Sequence, residues 1–436
     1  GVYHDDNFLM NGLVSADRVP HPGLLEVKKV YQPVRVTPVD LEGCELVVEN
    51  LYDFTNLGSL AGSWRVTEDG RVLAEGPMPG LDVEPWRSEV VTVPCPSITP
   101  DPGAEYWLDV SFRLAEATAW AEEGHEVAWE QFKLPLGAPA PGLDVASMQG
   151  LKIQESGPDI AIVGDGFSVT IDREGGAISS LEYGGRQLVR TGPRPFFWRA
   201  PIDNDRGNGM PERCAPWRAA SENWQLVDST VRRMSESEVE VRIHGRFPDV
   251  ESTNELTYRV LGSGDIIVEH SFVPGTPRLP ELPRFGMQMT LPDAFDTVAW
   301  YGRGPHESYW DRKTGAAVGV YSGTVAEQFV DYSEPQENGN KTDVRWVSLT
   351  DADGVGLLAV GMPLLSVSAH HHTTRDMEDA KYSHQMERRN FITLNLDLNQ
   401  TGVGGDDSWG ARPHDDYTLW PGPLSYSFRL RPISLS

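Results

Sequence analysis

Phe391-Ile-Thr-Leu-Asn-Leu-Asp-Leu398, running on into Asn399-Gln-Thr-Gly-Val-Gly-Gly-Asp-Asp-Ser-Trp409, is the stretch from which the fold is read. In its first half Ile392, Leu394, Leu396 and Leu398 alternate with Phe391, Thr393, Asn395 and Asp397. A period of two is that of a strand and predicts the four aliphatic residues on one buried face. The second half is a loop. Gly402, Gly404 and Gly405 reach positive φ without strain and let backbone approach a ligand closely. Asp406, Asp407 and Trp409 end it. Acceptor-rich side chains beside a flat indole suit a sugar, which carries hydroxyls on its rim and C–H groups on its face. The alternative is a polar loop whose Trp caps the core.

Working outward, the same alternation recurs. Phe167, Val169 and Ile171 show it, as do Val239, Val241 and Ile243, then Leu256, Tyr258 and Val260, and finally Leu424, Tyr426, Phe428 and Leu430. With 43 Gly, 33 Pro and 13 Trp in 436 residues, and long helical patterns scarce, the chain is expected to be all-β with two to four domains. Residues 159–436 are expected to form one large β-sandwich. Residues 34–136 read as a smaller, immunoglobulin-like sandwich of about seven strands, with a hairpin at Glu68-Asp69-Gly70. Between them, 137–158 contain Gly137-Ala-Pro-Ala-Pro-Gly142, which disfavours helix and ladder and reads as a linker. Residues 1–33 are too few for a core of their own. Leu24–Val30 with proline ahead of it predicts a short helix, and Thr373–Tyr382 is the other plausible one.

The net charge, 37 − 64 = −27, argues against nucleic acid and anionic membrane surfaces as partners. No apolar run long enough for a membrane span is present. Cys44, Cys95 and Cys214 lie far apart, an odd and sparse set that predicts a reducing, cytoplasmic setting without disulfides. The N-terminus has no starting Met and no signal-peptide pattern, so the chain reads as cut from something longer.

Other stretches carry polar chemistry. In Trp300-Tyr-Gly-Arg-Gly-Pro-His-Glu-Ser-Tyr-Trp-Asp-Arg312, His306 and Glu307 are candidates for proton transfer. A rigid corner held by Arg–carboxylate pairs is the favoured reading. Ser333–Asp343 lines a polar cleft or, as is commoner, forms a solvated loop. Pro201–Gly207 begins like a calcium loop but lacks later ligand positions, so a mobile surface loop is expected. His370-His-His372 lacks zinc-ligand spacing.

Taken together, the chain resembles the C-terminal part of the large β-galactosidases of glycoside hydrolase family 2. The resemblance rests on Phe8-Leu-Met-Asn-Gly-Leu-Val14, Ala16-Asp-Arg-Val-Pro-His-Pro22, Gly124-His-Glu-Val-Ala-Trp129, Ala200-Pro-Ile-Asp-Asn-Asp205, Trp300-Tyr-Gly-Arg-Gly-Pro-His-Glu307, Pro335-Gln-Glu-Asn-Gly339 and Gly402–Trp409. These occur in the family's order. It implies that 1–33 are the end of a (β/α)8 barrel and that 159–436 are a sandwich of the galactose-mutarotase type. A retaining glycosidase needs two carboxyl groups about 5–5.5 Å apart. In this family both glutamates lie on earlier barrel strands, so no catalytic residue is assigned here and the chain alone is expected to be inactive. The resemblance further implies sodium and magnesium in the complete enzyme, with Phe8 (through its carbonyl) and Asn11 as sodium ligands. This chain by itself is expected to bind neither. Asn11 and Trp409 are implied to face a β-galactoside, Trp409 stacking on the sugar beyond the galactosyl unit. The implied partners are the N-terminal catalytic part and, in the complete enzyme, further copies. The competing readings are a free-standing carbohydrate-binding module and a mutarotase-like enzyme.

Overall fold

Seven strands build the smaller unit: β1 (Val34–Asp40), β2 (Glu45–Asn50), β3 (Leu60–Glu68), β4 (Arg71–Pro77), β5 (Ser88–Thr92), β6 (Tyr106–Leu114) and β7 (Glu126–Lys133). The computed structural model describes residues 13–275, 278–407 and 410–434. The strands form two antiparallel sheets, ordered β1-β2-β5 and β4-β3-β6-β7. β6 shows why: Tyr106, Leu108, Val110, Phe112 and Leu114 are all buried, while the residues between them are not. The β3–β4 hairpin turns on Asp69 and Gly70, both left-handed (φ 46° and 86°), the primed geometry that matches strand twist.

One sequence expectation fails in this unit. Cys44 and Cys95 are joined in a disulfide, with Cα atoms 6.3 Å apart; only Cys214 is a free, buried thiol. Their separation of 51 residues left no local spacing signal. The short helix expected at Leu24–Val30 is present and packs on a neighbour. α1 (Pro22–Val30) groups almost wholly with the smaller unit, which comprises 23–143 and 317–320. Lys29 of α1 is buried there, its Nζ 2.9 Å from Glu130 and 4.1 Å from the Trp129 ring centroid.

The larger unit comprises 13–22, 144–316 and 321–434 among the described residues. Its first sheet has five strands, β8 (Lys152–Ser156), β9 (Asp159–Val163), β10 (Phe167–Asp172), β11 (Ala177–Tyr183) and β12 (Arg186–Gln187), in the order β12-β11-β10-β9-β8. β8 falls inside the expected linker, which is therefore shorter than 137–158. After β13 (Thr191–Phe196) come three short helices, α2 (Asp203–Gly207), α3 (Met210–Arg213) and α4 (Ala215–Glu222). The expected surface loop at 201–207 is thus largely helical, and its Asp205 is buried.

The remaining elements are β14 (Gln225–Ser235), β15 (Glu238–Phe247), β16 (Ser252–Leu261), β17 (Ile266–Val273), β18 (Arg284–Pro292), β19 (Thr297–Gly304), β20 (Ala317–Thr324), β21 (Lys341–Thr350), β22 (Val355–His370), α5 (Thr374–Asp379), β23 (Phe391–Gln400) and β24 (Leu424–Ser434). The main path of the second sheet runs β13-β18-β23-β22-β24-β17-β16-β15-β14, and β21 joins it beside β22. One apolar core, including Val169, Val241, Tyr258, Phe285, Leu394 and Phe428, serves the unit.

β23 departs from the simple expectation. Ile392, Leu394 and Leu396 are buried as anticipated, but so are Thr393, Asn395 and Asp397 on the opposite face. The strand is flanked by β18 and β22, with Gly286 and Ser366 both level with Asp397. A central strand covered on both faces must satisfy its polar residues internally. Asn395 does so, accepting from Gln288 at 2.9 Å and donating to Ser368 at 2.9 Å.

Candidate functional site: a glycine loop on a buried ionic base

The loop that follows β23 is fixed from both sides. Thr401 Oγ1 donates to the Leu282 carbonyl (2.7 Å) and accepts from the Leu419 amide (2.9 Å). The buried Arg199 guanidinium donates to the carbonyls of Thr401 and Gly402, the latter at 3.1 Å. From the other side the Asp311 carboxylate accepts the amides of Val403 (3.0 Å) and Gly404 (2.7 Å). A cation thus holds loop carbonyls and an anion holds loop amides, each pairing with the backbone group it suits.

The glycines are needed for this approach rather than for positive φ. A Cβ on Gly402 would lie 2.6 Å from Asp311 Oδ2, and one on Gly404 3.0 Å from it. Asp406 pairs with His414 at 2.9 Å, and Asp407 accepts the Ala411 amide at 3.1 Å, so both carboxylates take part in the loop's own bonding.

Beneath the loop is a set of buried charges. Arg199 and Asp205 form a two-pronged pair at 3.0 and 2.8 Å. Arg284, fully buried, donates to Glu337 at 2.8 Å and has Nε 3.2 Å from Asp397. Gln400 also donates to Glu337, at 3.1 Å. Burial pushes the Asp397 carboxyl up to about 7, against the opposing pull of Arg284. The Ser333–Asp343 stretch is therefore a packed polar wall and not a solvated loop: Gln336, Glu337, Asn338, Asn340, Lys341 and Thr342 are all buried. Burial also lowers the Lys341 ammonium to about 8; its Nζ donates to Gly339 and lies 5.1 Å from the Trp300 ring centroid.

The His306–Glu307 stretch behaves as a rigid corner. Glu307 is buried and accepts from Arg312, Tyr332 and the Gly339 amide, so its oxygens are committed. The three consecutive histidines serve separate partners. His370 meets the Asn338 carbonyl, His371 lies between Asp293 and Asp296, and His372 meets the Glu387 carbonyl. Among the described residues no group of three or more His, Cys, Asp or Glu is arranged to hold a metal ion. No helix of the described residues is long and apolar enough to cross a membrane.

Phe8, Asn11 and Trp409, the residues singled out from sequence, lie outside the described residues. What sequence reasoning missed is the support of the loop: Arg199, Asp205, Arg284, Glu337 and Asp311. The signal for Asp311 was present, since it falls in the charge-dense Trp300–Arg312 stretch. Arg199 directly precedes Ala200-Pro-Ile-Asp-Asn-Asp205, whose last Asp is its partner.

These features define an all-β chain of two units, the larger presenting a glycine loop on an ionic base. The profile described as "Beta galactosidase small chain" matches residues 163–430, and that described as "Beta-galactosidase, domain 4" matches 46–135. The chain belongs to the β-galactosidase small-chain family. It is 37% identical over 432 residues to the β-galactosidase of Priestia megaterium, covering 99% of this chain and 41% of that protein. It is 32% identical over 424 residues to the β-galactosidase of Halalkalibacterium halodurans, covering 95% and 41%. The chain thus spans about two-fifths of the length of the curated relatives it matches. A solved galactose mutarotase/aldose epimerase homologue from C. elegans aligns with 66% of this chain and all of that one, at 11% identity and a TM-score of 0.38, a distant likeness.

Proposed function

We propose that the chain is the C-terminal, non-catalytic part of a retaining β-galactosidase acting on terminal β-D-galactosides. The observation that carries this reading is the Gly402–Asp407 loop held between Arg199 and Asp311, in a chain whose relatives are β-galactosidases more than twice its length. A loop whose backbone is held from both sides by buried or partly buried charged side chains is what one wall of a sugar pocket requires. Trp409, two residues beyond Asp407, is the residue we assign to contact the sugar outside the galactosyl site, with Asn11 also facing the substrate. Phe8 and Asn11 are assigned to sodium in the complete enzyme, which also carries magnesium.

Catalysis is assigned to two glutamates outside these 436 residues, in an N-terminal part that is the chain's partner; the complete enzyme is a homo-oligomer. The cytoplasmic placement rested on the cysteine count, and the Cys44–Cys95 bond removes that support. Assay of the purified chain with a nitrophenyl galactoside is expected to give no turnover, and addition of a barrel-containing N-terminal part to restore it. Robust turnover by this chain alone overturns the proposal. In the complete enzyme, Trp409→Ala is expected to alter disaccharide preference more than galactose inhibition.

A further inference from the structure

A cleft of about 290 Å³ opens in the larger unit among β13, α4, β18 and α5. Its volume is at the lower end of the range for small-molecule sites. It is lined by Arg194, Arg218 and Arg375, by the rings of Phe196 and Trp198, and by Glu222 and Glu378 among others. Three arginines against two glutamates leave this lining with a charge of 3 − 2 = +1, in a chain whose net charge is −27.

The partners of these groups differ. Glu378 is committed: Oε1 accepts from Arg218 at 2.8 Å and Oε2 from the Trp198 indole at 3.2 Å. Its charge is thereby matched by Arg218, and together they form a fixed wall. Arg375 has only Asp379, at 3.3 Å, and both side chains are largely exposed, so the pair is weak. Arg194 is exposed and, among the described residues, has neither a hydrogen bond nor an ion pair. Two cations therefore remain available to a ligand anion. Glu222, exposed and likewise unpaired among the described residues, offers an acceptor to hydroxyl groups, while Phe196 and Trp198, which carry Arg284 and Arg218 over their rings at 5.7 and 5.9 Å, close the apolar side of the cleft.

We propose that this cleft binds a hydroxylated organic anion of monosaccharide size, a sugar phosphate or sugar acid, with Arg194 and Arg375 holding the anionic group. The site is separate from the glycine loop, and the inference stands whether or not the chain serves in galactoside hydrolysis.

The test is calorimetric titration of the chain at low ionic strength with galactose 6-phosphate, galacturonate, galactose and inorganic phosphate. One or both sugar anions bind at a single site, and the tighter of the two identifies the anionic group. Galactose and phosphate each bind about tenfold more weakly or less, since each lacks one half of the recognition. Arg194→Gln lowers sugar-anion affinity about tenfold with an unchanged melting temperature, because the side chain has no structural bond to lose. Arg375→Gln has an effect of the same sign. Equal binding of galactose and its phosphate overturns the proposal, as does inorganic phosphate matching the sugar anions. So does an Arg194→Gln chain that binds like the parent, or the absence of binding by either sugar anion up to about 10 mM.

Discussion

Replacing Arg199 by Met tests how the loop is supported. The substitution keeps apolar bulk but removes both prongs to Asp205 (3.0 and 2.8 Å) and both donors to the carbonyls of Thr401 and Gly402. Asp205 stays buried, keeping only the Ile202 amide at 3.2 Å. Breaking a buried ion pair by deleting one partner destabilises by roughly 3–5 kcal/mol, because the surviving charge is left uncompensated. Urea unfolding followed by tryptophan fluorescence should show that loss in the transition of the larger unit. The decisive comparison is the double variant Arg199→Met/Asp205→Leu. With the stranded carboxylate gone, it should recover about 2 kcal/mol or more relative to Arg199→Met alone. If the single variant loses less than about 1 kcal/mol, or if the second substitution recovers nothing, the two groups are not the mutually dependent pair described here.

Gly402→Ala places a methyl carbon 2.6 Å from Asp311 Oδ2 and should displace that carboxylate. Amide hydrogen exchange at Val403 and Gly404 should quicken, with a stability loss of about 1–3 kcal/mol. Asp397, raised to about 7 by burial, binds its proton more tightly folded than unfolded. Its stabilising contribution is therefore full below the ordinary carboxylate range and is lost as pH rises toward about 7, by about 1.4 kcal/mol per unit. Asp397→Asn should flatten the stability profile across that window in parallel urea titrations, and parallel parent and variant profiles would count against the assignment. Joint replacement of Cys44 and Cys95 by Ser should destabilise the smaller unit by about 4 kcal/mol, from the 51-residue loop the bond closes, read as a lowered melting temperature insensitive to reductant.

Much of the fold was legible because strand periodicity survives in the sequence. Val239, Val241 and Ile243 alternate and are buried, and so do Tyr426, Phe428 and Leu430 at the chain end. Periodicity reports which face is apolar; it does not report whether the polar face meets water or another polar surface. That is why the pattern placed the aliphatic face of β23 but not its Asn395 and Asp397, which prove to be buried, and why Ser333–Asp343 read equally well as an exposed loop. The site's support was hidden for a related reason. Arg199 reaches Thr401 across about 200 positions of sequence, and Arg284 reaches Glu337 and Asp397 across 53 and 113, and no local pattern encodes such pairings. The three short helices after β13 were missed because helices of four to eight residues present too few turns to set a period.

The strand order of the second sheet has a consequence for how the chain assembles as it is made. β23 and β24 are the last two strands in sequence, yet β23 lies between β18 and β22, and β24 lies between β22 and β17. Before they emerge, β13 with β18, β22 with β21, and β14 through β17 are three separate ribbons with unpaired hydrogen-bonding rims. A nascent chain stalled ahead of residue 391 therefore exposes one edge each of β18, β22 and β17 that the finished unit hides, and the final segment acts as the keystone that converts three adhesive fragments into one sheet.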